Sequence, residues 1–524
     1  MMIRVAAALL GCVWSLTAQY AQEIRQWKAP AGEMPVRPRS ACSALRGLTG
    51  YELSIMTADL HPASGGTPEF CRVMGQVMPE VRFEVALPAQ WNKRLLMIGN
   101  GGYAGENLEA PGRITTRNEA LTAGFVFTQT NTGHDAEQEP LGSFAVNSQK
   151  LLDYAFRAVH VTAETAKKIA AAYYGAGPSR SYFQGCSTGG RQALISAQRF
   201  PQDFDGIVAG APVLDFTGTI LSFTNWVRNL PATSLPQAKM KLLADRIYAH
   251  CDAKDGLQDG LIEDPRECGF RPAEHLLKCA GTEAGDCFTE AQIRSLEAVY
   301  NDLQIGGKRV FPGMPVGAEV AGANGRSGWD PWLLREGQPP IGQLFSETFF
   351  RYLAFSKKDP SLQLTQVDFE RDEPRLGWIR KVLDATDTDL TGFRDRGGKL
   401  LMWFGWADPA LNPLMGVSYY EGVRQKMGAR TGDFFRLYMM PGVFHCAGGV
   451  GPDTFPRLAA LIDWVEQGRV PETLVAARRA GDKVVRTRPL CPYPQVAKYS
   501  GTGSVDDAAN FRCAAVQYGN AGAR

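Results

Sequence analysis

The chain has almost no surplus of either charge. Its 56 Lys and Arg stand against 54 Asp and Glu, for a formal net charge of +2. A protein that neutralises phosphates needs a basic excess, so this balance argues against a nucleic-acid partner. No apolar run reaches the roughly 18–20 residues of a membrane-spanning helix, which argues against a transmembrane span. The 11 cysteines include no C-x-x-C, which weakens both zinc and thioredoxin-like readings. Histidine is scarce, six in 524 residues, so few side chains can act as a base near neutral pH. There is no internal repeat and no low-complexity tract. What remains is an ordinary apolar fraction of 44% on a chain long enough for a large core and more than one folding unit.

The first residues read as a targeting segment. Met1–Arg4 is a short positive start, residues 5–16 are apolar, and small residues follow at Ala18 and Ala21. This pattern predicts a secretory signal over residues 1–21 and a secreted or periplasmic protein. Leu9-Leu10-Gly11-Cys12 also looks like a lipoprotein box, which offers lipid anchoring as the competing route. Ten cysteines lie beyond the leader. An even number in an exported chain predicts five disulfides rather than scattered thiols.

From Arg82 the pattern is α/β. Strands are predicted over 82–87, 94–98, 124–128, 181–184 and 207–209, with helices over 148–174 and 191–200. The alternation fades after Leu214 and resumes at Lys399-Leu400-Leu401-Met402-Trp403-Phe404. A strand over 434–440 and a helix over 455–464 follow. Strands alternating with helices predict a largely parallel sheet covered on both faces. The division expected is a catalytic unit over 22–213 and 386–524, interrupted by an inserted lid over 214–385. A lid entering there would cover the strands' C-terminal ends, where open α/β sheets bind ligands.

The most informative residues are Gly185-Cys186-Ser187-Thr188-Gly189. This G-x-S-x-G directly follows a predicted strand. Glycine on both sides permits a turn too sharp for a Cβ, and the turn lifts the serine hydroxyl out of the sheet. A serine hydroxyl is a poor nucleophile until a base takes its proton. The base in turn needs a third group to fix its tautomer and balance its charge. In α/β-hydrolases these occur in the order Ser, acid, His. His61, His134, His160, His250 and His275 precede the serine or fall in the insert. His445 alone comes late, just past a predicted strand. The acid expected is Asp408, directly after the strand ending at Phe404. Asp433 and Asp453 are weaker rivals, and Asp408-Pro409 alone would read as a turn.

Cysteine adjoins both reacting residues: Cys186 precedes the serine and Cys446 follows the histidine. If these two are bonded, Ser187 and His445 are neighbours, because bridged Cα atoms lie only about 4.4–6.8 Å apart. Such a bond closes a very long loop, worth about 4–5 kcal/mol in a chain-entropy model. The oxyanion of a tetrahedral intermediate needs donors. The N–H of Thr188 is one. Gly101 or Gly102, in the loop Gly99-Asn100-Gly101-Gly102-Tyr103, should supply the other. The rival for that loop is a dinucleotide site, from the loose match Gly99-x-Gly101-x-x-Ala104. Finally, Asp252, Asp255 and Asp259, with the backbone of Leu257 and Leu261, cluster hard oxygens that suit calcium, although the spacing is not that of an EF-hand.

Cys186-Ser187, Asp408 and His445-Cys446 together resemble the signature of the tannase and feruloyl esterase family. The segment Arg199 to Pro212 is similar to that family as well, and the likeness covers nearly the whole mature chain. The resemblance implies an α/β-hydrolase core, a lid inserted after the nucleophile, and a bonded Cys186–Cys446 pair. It implies four further bridges: Cys42–Cys71, Cys251–Cys268, Cys279–Cys287 and Cys491–Cys513. It also implies structural calcium in the lid on Asp252, Asp255, Asp259 and the carbonyls of Leu257 and Leu261. The expected activity is hydrolysis of small or polysaccharide-linked esters of hydroxybenzoic or hydroxycinnamic acids through an acyl-enzyme on Ser187. Alternatives are hydrolysis of a mono(2-hydroxyethyl) terephthalate-type monoester, a non-catalytic phenolic- or carbohydrate-binding role, and a nicotinamide-dependent reductase. Trp332, Phe349, Phe350 and Trp378 are aromatic candidates in the lid, and no motif gives them a substrate role.

Overall fold

A computed structural model describes residues 20–230, 235–322, 325 and 327–515. Nine strands form the central sheet: β1 (Leu53–His61), β2 (Phe70–Val77), β3 (Val81–Pro88), β4 (Arg94–Ile98), β5 (Val126–Thr130), β6 (Arg180–Cys186), β7 (Gly206–Gly210), and then β10 (Lys399–Gly405) and β11 (Phe435–Met440). A small hairpin, β8 (Leu303–Ile305) and β9 (Lys308–Phe311), lies between β7 and β10 in sequence. Two more hairpins close the chain: β12 (Leu474–Ala480) with β13 (Lys483–Leu490), and β14 (Gln495–Tyr499) with β15 (Phe511–Ala515).

The sheet order is β1-β2-β3-β5-β4-β6-β7-β10-β11. The first three pairings are antiparallel and the other five are parallel. Every residue of β4, β5 and β7 is buried, as expected for strands covered on both faces. The strands expected from Arg82 onward are present, with β5 beginning two residues later than its apolar run because Gly124 takes φ +82° and turns the chain first. β1 and β2 were not foreseen. The helical stretch 148–174 is present with one wide turn at Asp153–Arg157.

The chain leaves this sheet after β7 and returns before β10. Ala385 N–H donates to the carbonyl of Leu214 at 2.7 Å, so the two ends of the intervening segment are tied together. Within the segment, Gly328 lies against Phe444, and Gly317 against Ala407. It therefore sits beside the turns that follow β10 and β11.

Residues 1–19 of the expected leader, with Cys12, lie outside the described residues. Tyr20 and Ala21 are buried in a helical stretch over residues 20–26. Its Glu23 accepts from Gln184 of β6 at 3.0 Å and pairs with Arg457. The Arg457 guanidinium lies over Trp403 and Phe455, 4.6 and 4.8 Å from the ring centroids. Burial pushes the Glu23 carboxyl up to about 7 despite that partner. No described helix is long and apolar enough to cross a membrane.

His134, on the turn after β5, is 2% exposed and stacks on Phe144 with ring centroids 4.0 Å apart. Burial lowers its pKa to about 4. The unfolded chain takes up this proton near pH 6.5, and the folded protein resists it until about 4. The neutral ring therefore costs nothing above pH 6.5, and stability falls by about 3 kcal/mol as pH drops from there to 4. His134→Phe should flatten this acid limb: the drop in Tm between pH 7.5 and 5 should be smaller in the variant. Equal drops in both proteins would refute the assignment.

Candidate active site

The nucleophile turn is built by close backbone approach. Ser187 takes φ +63° and ψ −121° between β6 and the helix Thr188–Arg199. A side chain holds such a conformation only when its surroundings impose it, at about 1–3 kcal/mol. Three contacts impose it here. Ser187 N–H donates to Gly210 at 3.0 Å, and its carbonyl accepts from Arg191 at 3.0 Å and Val213 at 3.3 Å. A Cβ on Gly185 would lie 2.5 Å from the carbonyl carbon of Gly189, so Gly185 is sterically required, while a Cβ on Gly189 would crowd the Asn100 carbonyl at 3.1 Å.

His445 stands on the loop after β11. Its Nδ1 lies 2.8 Å from Asp408 Oδ2. The Asp408 carboxylate is 1% exposed, and its other oxygen accepts from the N–H groups of Ala410 and Leu411, both at 2.9 Å. With that oxygen held by two amides, the first faces the imidazole and fixes Nδ1 as the protonated nitrogen, leaving Nε2 unprotonated, 3.7 Å from Cys446 Sγ. The rivals are engaged elsewhere: Asp433 with exposed Arg430, and Asp453 with the N–H of Gly448. The bridge Cys186–Cys446, with Cα atoms 6.1 Å apart, joins the residue before Ser187 to the residue after His445. Cys446 itself takes φ +63°, so both loops are sharply turned where they meet. The other bridges are Cys42–Cys71, Cys251–Cys268, Cys279–Cys287 and Cys491–Cys513.

The remaining histidines are elsewhere. His160 pairs with Asp203 at 2.9 Å on a helix face. His250 and His275 contact each other in the insert, and His61 stacks on Phe70.

The glycine loop after β4 abuts the nucleophile helix. A Cβ on Gly99 would lie 2.7 Å from the Cα of Gly189. The next helix begins only at Pro111, so the loop does not open a helix as a dinucleotide turn does. Thr188 opens its own helix and has no intrahelical partner for its N–H. Its hydroxyl donates to the carbonyl of Gly102 at 2.5 Å. Of the two glycines expected to supply a donor, Gly101 is already committed, because its N–H donates to Glu106 Oε1 at 3.0 Å. Gly102 takes φ +50° and makes no N–H bond to another described residue. Glu106 carried no sequence signal, since a single glutamate in a loop matches no motif.

Trp332 meets the His445 ring edge-on, with centroids 5.1 Å apart and planes at 84°. Phe345 packs on Tyr103 at 5.0 Å and lies over Gly102. Phe349 and Phe350 are buried core residues, and Trp378 is exposed beside Lys358. Of the four lid aromatics singled out from sequence, only Trp332 reaches the histidine; Phe345 was missed.

The acidic loop lies behind the histidine loop. A Cβ on Gly442 would be 2.8 Å from Leu261 Cδ2. Asp252 accepts from Asp259 and Gly260, Asp255 accepts from Leu257 at 2.8 Å, and Asp259 pairs with Arg488. Burial, with the nearby Asp259 and Asp252 charges, pushes Asp255 up to about 6. The donor set of carboxylates and carbonyls is the hard-oxygen chemistry calcium takes. Among the described residues, no three acidic, histidine or cysteine side chains converge on one point as a ready cage.

The tannase and feruloyl esterase family model matches residues 66–514. An uncharacterised esterase of Xanthomonas campestris pv. campestris is 35% identical, over 90% of this chain and 91% of its own. The mono(2-hydroxyethyl) terephthalate hydrolase of Piscinibacter sakaiensis is 31% identical, over 92% and 93%. The crystal structure of feruloyl esterase B from Aspergillus oryzae matches with a TM-score of 0.79 at 27% identity, covering 90% of this chain and 99% of that one. The chain therefore belongs to the tannase and feruloyl esterase family and is an α/β carboxylic ester hydrolase of that type.

Proposed function

We propose that the chain is an exported serine esterase that cleaves esters of aromatic carboxylic acids through an acyl-enzyme on Ser187. The observation that carries this reading is the His445–Asp408 hydrogen bond at 2.8 Å on a loop bonded through Cys446 to the residue before Ser187. His445 Nε2 takes the Ser187 proton as Oγ attacks the ester carbonyl. The carbonyl electrons move onto its oxygen, which the N–H groups of Thr188 and Gly102 hold. The electrons return, the ester C–O bond breaks, and His445 gives its proton to the departing alcohol. Water then repeats the sequence and frees the acid.

Aromatic acids are favoured by two lid rings, Trp332 edge-on to His445 and Phe345 against Gly102. The names of the relatives point the same way: one hydrolyses mono(2-hydroxyethyl) terephthalate and another is a feruloyl esterase. A terephthalate-type monoester is accordingly the second reading, and a free or polysaccharide-linked hydroxycinnamate the first. Five disulfides support export.

Calcium is proposed as a structural ion on Asp252, Asp255, Asp259 and the Leu257 and Leu261 carbonyls. When bound, it would neutralise the crowded carboxylates and stiffen the loop against which Gly442 rests.

Ser187→Ala should lower kcat on methyl ferulate, methyl gallate and mono(2-hydroxyethyl) terephthalate by roughly 10⁴–10⁶-fold, with Tm unchanged. Turnover of any of the three at the wild-type rate would end the assignment. Chelation with EGTA should lower Tm by several degrees, and added calcium should restore it, both followed by scanning calorimetry. A Tm indifferent to chelator and ion would remove calcium from the account.

A further inference from the structure

We propose that Glu106 is the positioning residue of the oxyanion site, and that it selects Gly102 over Gly101 as the second donor. This rests on the reading of Ser187 as nucleophile given above.

Successive peptide units of the loop after β4 are each held by a hydrogen bond. The unit joining Asn100 to Gly101 has its N–H held by Glu106 Oε1 at 3.0 Å. The preceding N–H, on Asn100, donates to Gln192 Oε1 at 3.0 Å. Neither can turn toward a reacting oxygen without breaking a hydrogen bond. In the unit joining Gly101 to Gly102, the carbonyl accepts from Ala104 at 2.8 Å. A trans peptide directs its N–H opposite to its carbonyl, so this bond turns the Gly102 N–H to the other side. The unit joining Gly102 to Tyr103 is held in turn: its carbonyl accepts from the hydroxyls of Thr188 at 2.5 Å and Tyr154 at 3.0 Å. Both neighbours of the Gly102 N–H are clamped, and of the N–H groups of Asn100, Gly101 and Gly102 only that of Gly102 makes no hydrogen bond to another described residue.

Glu106 is itself fixed from behind. Its Oε2 accepts from Asn100 Nδ2 at 2.7 Å and pairs with Arg113, which is 2% exposed at its side chain. Arg113 Nη1 donates to Gln129 Oε1 at 2.9 Å, and Gln129 Nε2 donates to Glu84 at 2.5 Å. Glu84 also carries Arg72 and Arg117. A chain of polar groups, buried at Glu84, Gln129 and Arg113, thus runs from the antiparallel side of the sheet to half-buried Glu106 in the loop after β4. Arg113 has a second consequence. A bare carboxylate behind the oxyanion would repel the charge that forms there, and the guanidinium cancels it. The pair orients the loop at little electrostatic cost to the transition state.

A donor that is misaligned but present should cost less than a deleted one, which is worth about 10²–10³-fold. Glu106→Ala should therefore lose on the order of 10–10²-fold in kcat per active site with KM changed less than about threefold, because the oxyanion forms only after binding. Active sites are counted, and Ser187 tested, by stoichiometric reaction with diethyl p-nitrophenyl phosphate. The phosphoryl oxygen also gains charge in that reaction, so its second-order rate should fall by a similar factor. Glu106→Gln keeps an oxygen for the Gly101 N–H and should recover at least half of the logarithmic loss. Glu106→Asp cannot span both Gly101 and Asn100 and should resemble the alanine variant. It carries the test if Glu106→Ala does not fold. Wild-type kcat per titrated site in a folded Ala or Asp variant would overturn the proposal, as would a loss confined to the number of titratable sites. Failure of the wild-type protein to react at Ser187 would instead overturn the nucleophile assignment.

Discussion

Two segments 260 residues apart in sequence, one carrying Ser187 and the other His445, are held together by one covalent bond. Cys186 and Cys446 are both buried, and each adjoins a sharply turned reacting segment. The bond limits the unfolded chain by about 4–5 kcal/mol in the loop-entropy picture. That exceeds the 1–3 kcal/mol of a strained serine turn. Placing the bond beside the strain, rather than elsewhere on the molecule, lets the turn persist without a long side chain to brace it.

The rest of the site is held without covalent help. Asp408 is oriented by two amides of its own turn, and His445 by Asp408. The glycine loop is set by side chains on three elements: Gln192 on the nucleophile helix, Tyr154 on the wide helical turn, and Glu106 in the loop itself. Each anchors backbone, not a reacting atom. The reacting groups therefore inherit their geometry from the sheet, which is the most deeply buried part of the fold.

The candidate site residues were legible along the chain. G-x-S-x-G follows a strand, and the histidine and aspartate each follow a strand. Because strand ends are read from short apolar runs, Ser187, Asp408 and His445 could be named. The two cysteines beside them added a distance to what was otherwise only an order. The segment between β7 and β10 was legible as an interval where alternation stops, but not in its contacts. Trp332 and Phe349 are equally aromatic in sequence; one touches His445 and the other fills the core. Gly101 and Gly102 were equally good donors on paper.

The sequence by itself determined the residue chemistry, its order along the chain, and the sheet that carries it. Those follow from local rules: apolar periodicity, glycine at a tight turn, and a base that must be histidine. Only the tertiary structure decided which glycine keeps its N–H, which aromatic faces the histidine, and that Glu106 takes the N–H of Gly101. Such choices turn on where each peptide spends its one donor, and that depends on neighbours brought from distant parts of the chain.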